Sequence, residues 1–356
     1  VSYCGNKLFA QYMEDAKSKI SIFTPDGTYA GEIDLPGICE AGNVRGTYNG
    51  ATAFYSYESY NTPGTVMKYN TETGASETFF QPDVKFNPDN FVVKQEFYTS
   101  KDGTKVPMFI VHKKGVELNG DNPAMLYGYG GFNISLTPSY STSVLYYIEQ
   151  GGVYAVANLR GGGEYGEDWH KAGTKMQKQN VFDDFIAAAE YLIDSGITNS
   201  DRLTIRGGSN GGLLVGAVTN QRPDLFKVAL PAVGVMDMLR YHKFTIGYAW
   251  ASDYGRSDDS KEMFEYLLDY SPLHNVKAQD YPAILASTAD HDDRVVPAHT
   301  FKYISQIQEL NTGDLPTLVR IDVKAGHGSG KPTSKIIEEY ADIYAFVFHH
   351  TGIKVE

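Results

Sequence analysis

Cysteine is scarce in this chain. Cys4 and Cys39 are the only two in 356 residues, and both lie near its start. So few exclude a disulfide framework, and their spacing offers no structural metal site; two free thiols in a reducing cytoplasm is the expectation. No apolar run approaches the length of a membrane-spanning helix, about 18 residues. The opening stretch Val1-Ser2-Tyr3-Cys4-Gly5-Asn6 lacks the basic start and apolar centre of a secretory signal. A membrane partner is therefore not expected. Positive charge is in deficit too: 31 Lys and Arg against 43 Asp and Glu give a formal net charge of −12, which argues against nucleic acid as a partner. The chain also lacks a methionine at its first position, which points to a fragment or a processed product.

The composition is that of a globular protein, and the length is that of about two domains. From Leu8 to about Gln81, short alternating runs are separated by turn chemistry: Lys19-Ile20-Ser21-Ile22-Phe23, then Thr24-Pro25-Asp26-Gly27, and later Thr65-Val66-Met67-Lys68-Tyr69 before Thr71-Glu72-Thr73-Gly74. Such spacing predicts antiparallel sheet of the sandwich or propeller-blade kind, with the aromatics of residues 53–60 serving packing. Around residues 82–88 the texture changes. A strand, turn and strand over 91–112 lead into alternating β and α signals. Strands are expected at 123–129, 153–159, 202–206, 228–233, 283–287 and 317–323. Helices are expected at 181–195, 210–221, 297–310 and 335–351. Alternation of this kind predicts an α/β fold with a mostly parallel, doubly wound sheet, whose active groups gather at the carboxyl ends of the strands.

One junction stands out. The apolar run Leu203-Thr204-Ile205 breaks into Gly207-Gly208-Ser209-Asn210-Gly211-Gly212, and a second apolar run follows at once. Gly207-x-Ser209-x-Gly211 matches the nucleophile elbow of α/β-hydrolases, where a strained serine needs small neighbours so that the helix passes close to the strand. A serine hydroxyl is a weak nucleophile at neutral pH and requires a base and an orienting carboxylate, which in this fold follow in the order Ser, Asp or Glu, His. Of nine histidines, His327 alone follows Ser209 in a glycine-rich loop directly behind a strand, Val323-Lys324-Ala325-Gly326-His327-Gly328-Ser329-Gly330. Between them the strand at 283–287 empties into Thr288-Ala289-Asp290-His291-Asp292-Asp293-Arg294, where Asp290, Asp292 and Asp293 are all eligible to orient the imidazole. The same cluster has no second ligand group at metal-binding spacing, so no metal is expected. For the oxyanion, the Asn210 backbone N–H follows from the elbow. The loop Leu126-Tyr127-Gly128-Tyr129-Gly130-Gly131-Phe132 places tyrosines where lipases carry a histidine, so a phenolic O–H is the second donor. A Gly161-x-Gly163-x-x-Gly166 run imitates a dinucleotide fingerprint. It lies in mid-domain, however, and is expected to continue through residues 164–170 as an irregular polar loop rather than a helix, so no cofactor is expected.

Taken together, several blocks resemble the prolyl oligopeptidase family of serine peptidases: residues 127–135, 158–166, 207–212, Gly234-Val235-Met236-Asp237-Met238, residues 290–297, and Lys324-Ala325-Gly326-His327-Gly328. The resemblance runs from about Phe91 to the end, and before that fits the last blades of the family's β-propeller. It implies an α/β-hydrolase catalytic domain over residues 83–356, preceded by the C-terminal blades of an incomplete propeller over residues 1–82. It also implies a cytoplasmic, monomeric serine endopeptidase that cleaves short proline-containing peptides on the carboxyl side of proline, without a cofactor. By motif position, Ser209 is the nucleophile, Asp292 the orienting acid and His327 the base. Tyr129 is then the phenolic donor beside Asn210, and Arg294 holds a substrate carbonyl. Trp250 stacks on the proline ring, with Phe132, Val235, Ile246, Tyr254 and Val295 closing an apolar pocket. Proline has no N–H to recognise, so shape and a flat aromatic face must discriminate. Family members carry a complete propeller and an N-terminal arm ahead of residue 1, so the sequence is expected to be a C-terminal fragment.

Overall fold

The computed structural model describes residues 1–328 and 330–355. Its first part holds two antiparallel sheets. One runs in the order β1 (Ser2–Cys4), β2 (Lys7–Glu14), β3 (Lys17–Phe23), β4 (Tyr29–Glu32). The other holds β5 (Glu40–Ala41), β6 (Arg45–Gly46), β7 (Thr52–Glu58), β8 (Thr65–Asn70) and β9 (Ser76–Phe80), with β5 and β6 both paired to β7. Inward-facing residues of these strands, with Val44 from the segment between β5 and β6, meet in a small core that includes Phe9, Ile20, Ile22, Tyr55 and Tyr69. Both cysteines are free and buried. Burial pushes the Cys39 thiol up to about 11, which leaves it protonated and unreactive at neutral pH.

The remaining strands form one eight-stranded sheet. The hairpin β10 (Phe91–Thr99) and β11 (Lys105–Lys113) is followed by β12 (Ala124–Tyr127), β13 (Val153–Ala157), β14 (Leu203–Gly208), β15 (Val228–Ala232), β16 (Ala283–Ala289) and β17 (Thr317–Asp322). Their order is β10-β11-β13-β12-β14-β15-β16-β17. β11 is antiparallel to both of its neighbours, and β12 to β17 pair in parallel. In the interior parallel strands apolar residues face both sides, as a sheet covered on two sides requires. Leu203 and Ile205 of β14 and Ile284 and Ala286 of β16 join one core. Tyr154 and Val156 of β13, with Leu285 of β16, join the other.

Helices cover the two faces. The first core takes α3 (Gln179–Asp194), α4 (Asn210–Gln221), α6 (Lys261–Tyr270) and α7 (Ala298–Leu310); the second takes α1 (Thr142–Glu149) and α8 (Thr333–Thr351). Two short helices complete the set, α2 (Glu167–Lys171) and α5 (Ala251–Tyr254). Among the described residues, no helix is long and apolar enough to cross a membrane.

Two expectations need correction. Residues 164–170 are not irregular throughout, because α2 begins at Glu167. Gly166 turns the chain at φ 81°, and Glu167 and Asp168 in the first turn favour the positive end of the helix dipole. α1 and α6 are additional to the four expected helices. Each is opened by a serine, Ser141 accepting from the Val144 N–H and Ser260 from the Met263 N–H, a capping signal that the apolar periodicity did not reveal. Because β12 to β17 run in parallel, the loops leaving β12, β14, β15, β16 and β17 all emerge at one edge of the sheet.

Candidate active site

At that edge β14 passes into α4 through Ser209, which sits at φ 58° and ψ −114°. A non-glycine residue in this region stores strain of about 1–3 kcal/mol, sustained only by its surroundings. Here the surroundings are the Ala232 carbonyl, which accepts from the Ser209 N–H at 2.9 Å, and glycines packed against backbone. A Cβ on Gly207 would come within 2.4 Å of the Gly211 carbonyl oxygen, and one on Gly212 within 2.5 Å of the Ala232 oxygen. The helix thus crosses the strand end at a distance that no other residue allows. Asn210 is the first residue of α4, so its N–H is one of the four that a helix leaves without an internal acceptor.

The loop behind β16 carries the three aspartates. Asp292 is buried, and its Oδ1 accepts from the N–H groups of Arg294 at 3.0 Å and Val295 at 2.9 Å. Its Oδ2 lies 2.7 Å from Nδ1 of His327, in the loop behind β17. Asp290 instead pairs with the neighbouring His291, 2.7 Å away, and Asp293 is exposed. Of the candidates that spacing left open, Asp292 is the one set against the histidine. Among the described residues no hydrogen bond joins His327 to the Ser209 hydroxyl; such contacts often tighten only when substrate binds. Ser329, in the same loop, lies outside the described residues.

The loop behind β12 brings Tyr129 and Phe132 to the same edge. The Tyr129 carbonyl accepts from the Asn210 side-chain amide. Burial pushes the Tyr129 phenol above its ordinary value, while the charge of nearby Arg294 acts in the opposite sense. The phenol therefore keeps its proton at neutral pH and remains a donor. Phe132 and Asn133 both have positive φ, 57° and 58°. They are pinned by Phe132 N–H to Asp253 Oδ2 at 3.0 Å and Asn133 N–H to the Gly161 carbonyl at 3.1 Å. The glycines that imitate a dinucleotide fingerprint serve this packing. A Cβ on Gly161 would stand 2.7 Å from the Gly130 oxygen, and one on Gly163 2.6 Å from the Asn133 oxygen.

Trp250, Val235, Tyr254 and Val295 are buried in one apolar cluster, with Phe132 packed against it. The ring of Phe132 meets that of Tyr254 edge-on, centroids 5.3 Å apart, and Trp250 stacks on Tyr241 at 6.2 Å. Ile246 is 45% exposed and lies outside the cluster. Arg294 is exposed, and its side chain has no partner among the described residues, which leaves the guanidinium available. Three groups at the site were not anticipated. Lys178 is buried beside Asn210, Asp253 holds the Phe132 N–H, and His170 Nε2 lies 2.7 Å from Asp253 Oδ1. Lys178 sits in the polar run Lys175-Met176-Gln177-Lys178-Gln179, which reads as a solvated surface, so no sequence signal marked it.

Comparison with known proteins places this arrangement. The profile described as "Prolyl oligopeptidase family" matches residues 138–354, and that of the "Prolyl oligopeptidase, N-terminal beta-propeller domain" matches residues 1–82. A prolyl endopeptidase from Elizabethkingia meningoseptica is 53% identical over 98% of this chain and 50% of its own length. The chain thus spans about half the length of the curated relatives it matches. A solved structure from a study of two prolyl endopeptidases superposes with a TM-score of 0.93 at 45% identity, covering 99% of this chain and 52% of that one. A serine-to-alanine mutant of prolyl oligopeptidase B from Galerina marginata, bound to a 35-residue hydrolysis and macrocyclization substrate, superposes at 0.94 with 37% identity, covering 100% of this chain and 50% of that one. With an α/β-hydrolase sheet behind a propeller segment and matches along almost its whole length, the chain belongs to the prolyl oligopeptidase family.

Proposed function

We propose that the protein is a serine endopeptidase that hydrolyses short peptides on the carboxyl side of proline, through an acyl-enzyme on Ser209. The observation that carries this reading is the 2.7 Å contact between Asp292 and His327, in loops at the same sheet edge as the strained Ser209. In this mechanism Nδ1–H of His327 donates to Asp292, which holds the tautomer with a free Nε2. That nitrogen takes the Ser209 proton as the hydroxyl oxygen attacks the carbonyl carbon of the proline residue. The oxyanion is held by the Tyr129 O–H and the Asn210 N–H. His327 then delivers its proton to the departing amine, and water attacks the ester by the same route in reverse. Arg294 offers its donor fork to a substrate carbonyl. Trp250, with Phe132, Tyr254, Val235, Ile246 and Val295, receives the proline ring.

The reading divides the chain at residue 82 into a propeller segment and a catalytic domain, and takes the protein to be a cytoplasmic monomer. Two free, buried thiols support a reducing compartment. The name of the Elizabethkingia relative supports the substrate class. The test is turnover by the full-length protein of a peptide with proline before the scissile bond against a fatty ester, with Ser209→Ala as control and a fluorophosphonate to label Ser209. Proline-dependent cleavage and labelling, both lost in Ser209→Ala, are expected. Preference for the ester, or no labelling of folded protein, overturns the reading.

A further inference from the structure

Lys178 immediately precedes α3 and is 1% exposed. Its ammonium donates to the Gly130 carbonyl at 2.8 Å and to Oδ1 of Asn210 at 3.1 Å, and lies 5.3 Å from the centre of the Tyr254 ring. No carboxylate stands within ion-pair distance of it among the described residues. A buried cation without a counter-charge is costly, and burial alone holds this amine down at about 8, with Asp253 pulling the other way. Nothing in the triad uses it, and its removal would take a donor from both the Gly130 carbonyl and Asn210 Oδ1.

The two acceptors explain what it does. Gly130 is the residue after Tyr129, and Asn210 is the residue whose backbone N–H is assigned to the oxyanion. The Asn210 side chain is engaged at both ends: Oδ1 accepts from Lys178 and, at 2.8 Å, from the Tyr254 hydroxyl, while its amide donates to the Tyr129 carbonyl. One ammonium therefore ties together the two segments that carry the oxyanion donors, across 48 residues on one side and 32 on the other. We propose that Lys178 is a positioning residue that sets the spacing between the Tyr129 O–H and the Asn210 N–H, acting through the Gly130 carbonyl and the Asn210 side chain. This inference rests on the serine-peptidase reading and deepens it. A misplacement of a fraction of an ångström in either donor weakens the transition state and leaves the ground-state carbonyl nearly unaffected.

The test uses the full-length protein and a substrate with proline before the scissile bond. Lys178→Met is expected to lower kcat about 10- to 100-fold with KM within about two-fold. The affinity for a peptide aldehyde, whose adduct on Ser209 carries an oxyanion, should fall by the same factor, while that for the cleaved product peptide should hold. Asn210→Ala keeps the backbone N–H and removes the side chain through which Lys178 acts. It should reproduce the loss, and the double variant should be no worse than the more damaging single. Asn210→Ala also carries the test if Lys178→Met does not fold. Unchanged kcat, losses that multiply in the double variant, or equal loss of aldehyde and product binding would overturn the inference. If the unmodified protein neither cleaves the peptide nor is labelled by a fluorophosphonate, the peptidase reading falls and this inference with it. Normal activity throughout counts against Lys178 alone.

Discussion

Oδ2 of Asp292 lies 2.7 Å from Nδ1 of His327, while the other oxygen of the same carboxylate accepts two backbone N–H groups from Arg294 and Val295. The carboxylate is thus locked by its own loop before it meets the imidazole, and the imidazole is held in one orientation and one tautomer.

Replacing that carboxylate by an amide keeps the shape and removes the acceptor. Asp292→Asn is expected to lower kcat by about four orders of magnitude, because the amide favours the wrong imidazole tautomer. KM should move little. Steady-state kinetics on a proline peptide measure both, and a kcat within ten-fold of the parent would contradict the assigned role.

Tyr129 makes a narrower claim. Loss of one oxyanion donor costs about 10²–10³-fold in kcat. Tyr129→Phe should show a loss of this order, with unfolding in denaturant unchanged, since the phenol oxygen has no protein partner among the described residues. A variant that instead raised KM with kcat intact would make Tyr129 a substrate contact.

Gly212 tests the elbow. Alanine has the higher helix propensity by about 1 kcal/mol, yet its Cβ would lie 2.5 Å from the Ala232 oxygen and 2.6 Å from Gly234 Cα. Both are backbone atoms, so the strand and helix must move apart. Gly212→Ala is expected to destabilise by about 1–3 kcal/mol in denaturant titrations and to slow labelling of Ser209. A stabilised variant would mean that the crossing is looser than described.

His299 contributes to the loss of stability in acid. Its Nδ1 accepts from the Asp237 N–H at 3.0 Å, so the imidazole is neutral there, and burial holds it down at about 4, with Asp237 and Asp292 opposing and Lys302 reinforcing the shift. A base whose folded pKa lies below its unfolded value of about 6.5 takes up a proton on unfolding in the interval between the two. Stability should therefore fall as pH drops from about 6.5 to 4, by roughly 3 kcal/mol from this group alone. Asparagine offers an acceptor without the titration. Denaturant midpoints of His299→Asn at pH 7 and pH 5 should differ less than those of the parent, and equal differences would sink the argument.

Much of this architecture is written in local chemistry. Apolar period and turn residues place the six parallel strands and four of the helices within a few residues of their observed limits, because a strand buried on both faces and an amphipathic helix each leave a local signature. The glycines around Ser209 mark the elbow for the same reason: their demand for space is set by neighbours in the chain. That a serine, an acid and a histidine follow in that order is legible from the order of the loops along the chain. What local chemistry leaves open is which groups meet. Spacing allowed three aspartates, and the fold sets Asp292 against His327. Lys178 and Gly130 are 48 residues apart, and Phe132 and Asp253 are 121 apart. In sequence the lysine looks like any solvated cation and the aspartate like any loop acid. Only packing of α3, α4 and α5 around the loop behind β12 buries them, and burial turns an ordinary charge into a fixed strut.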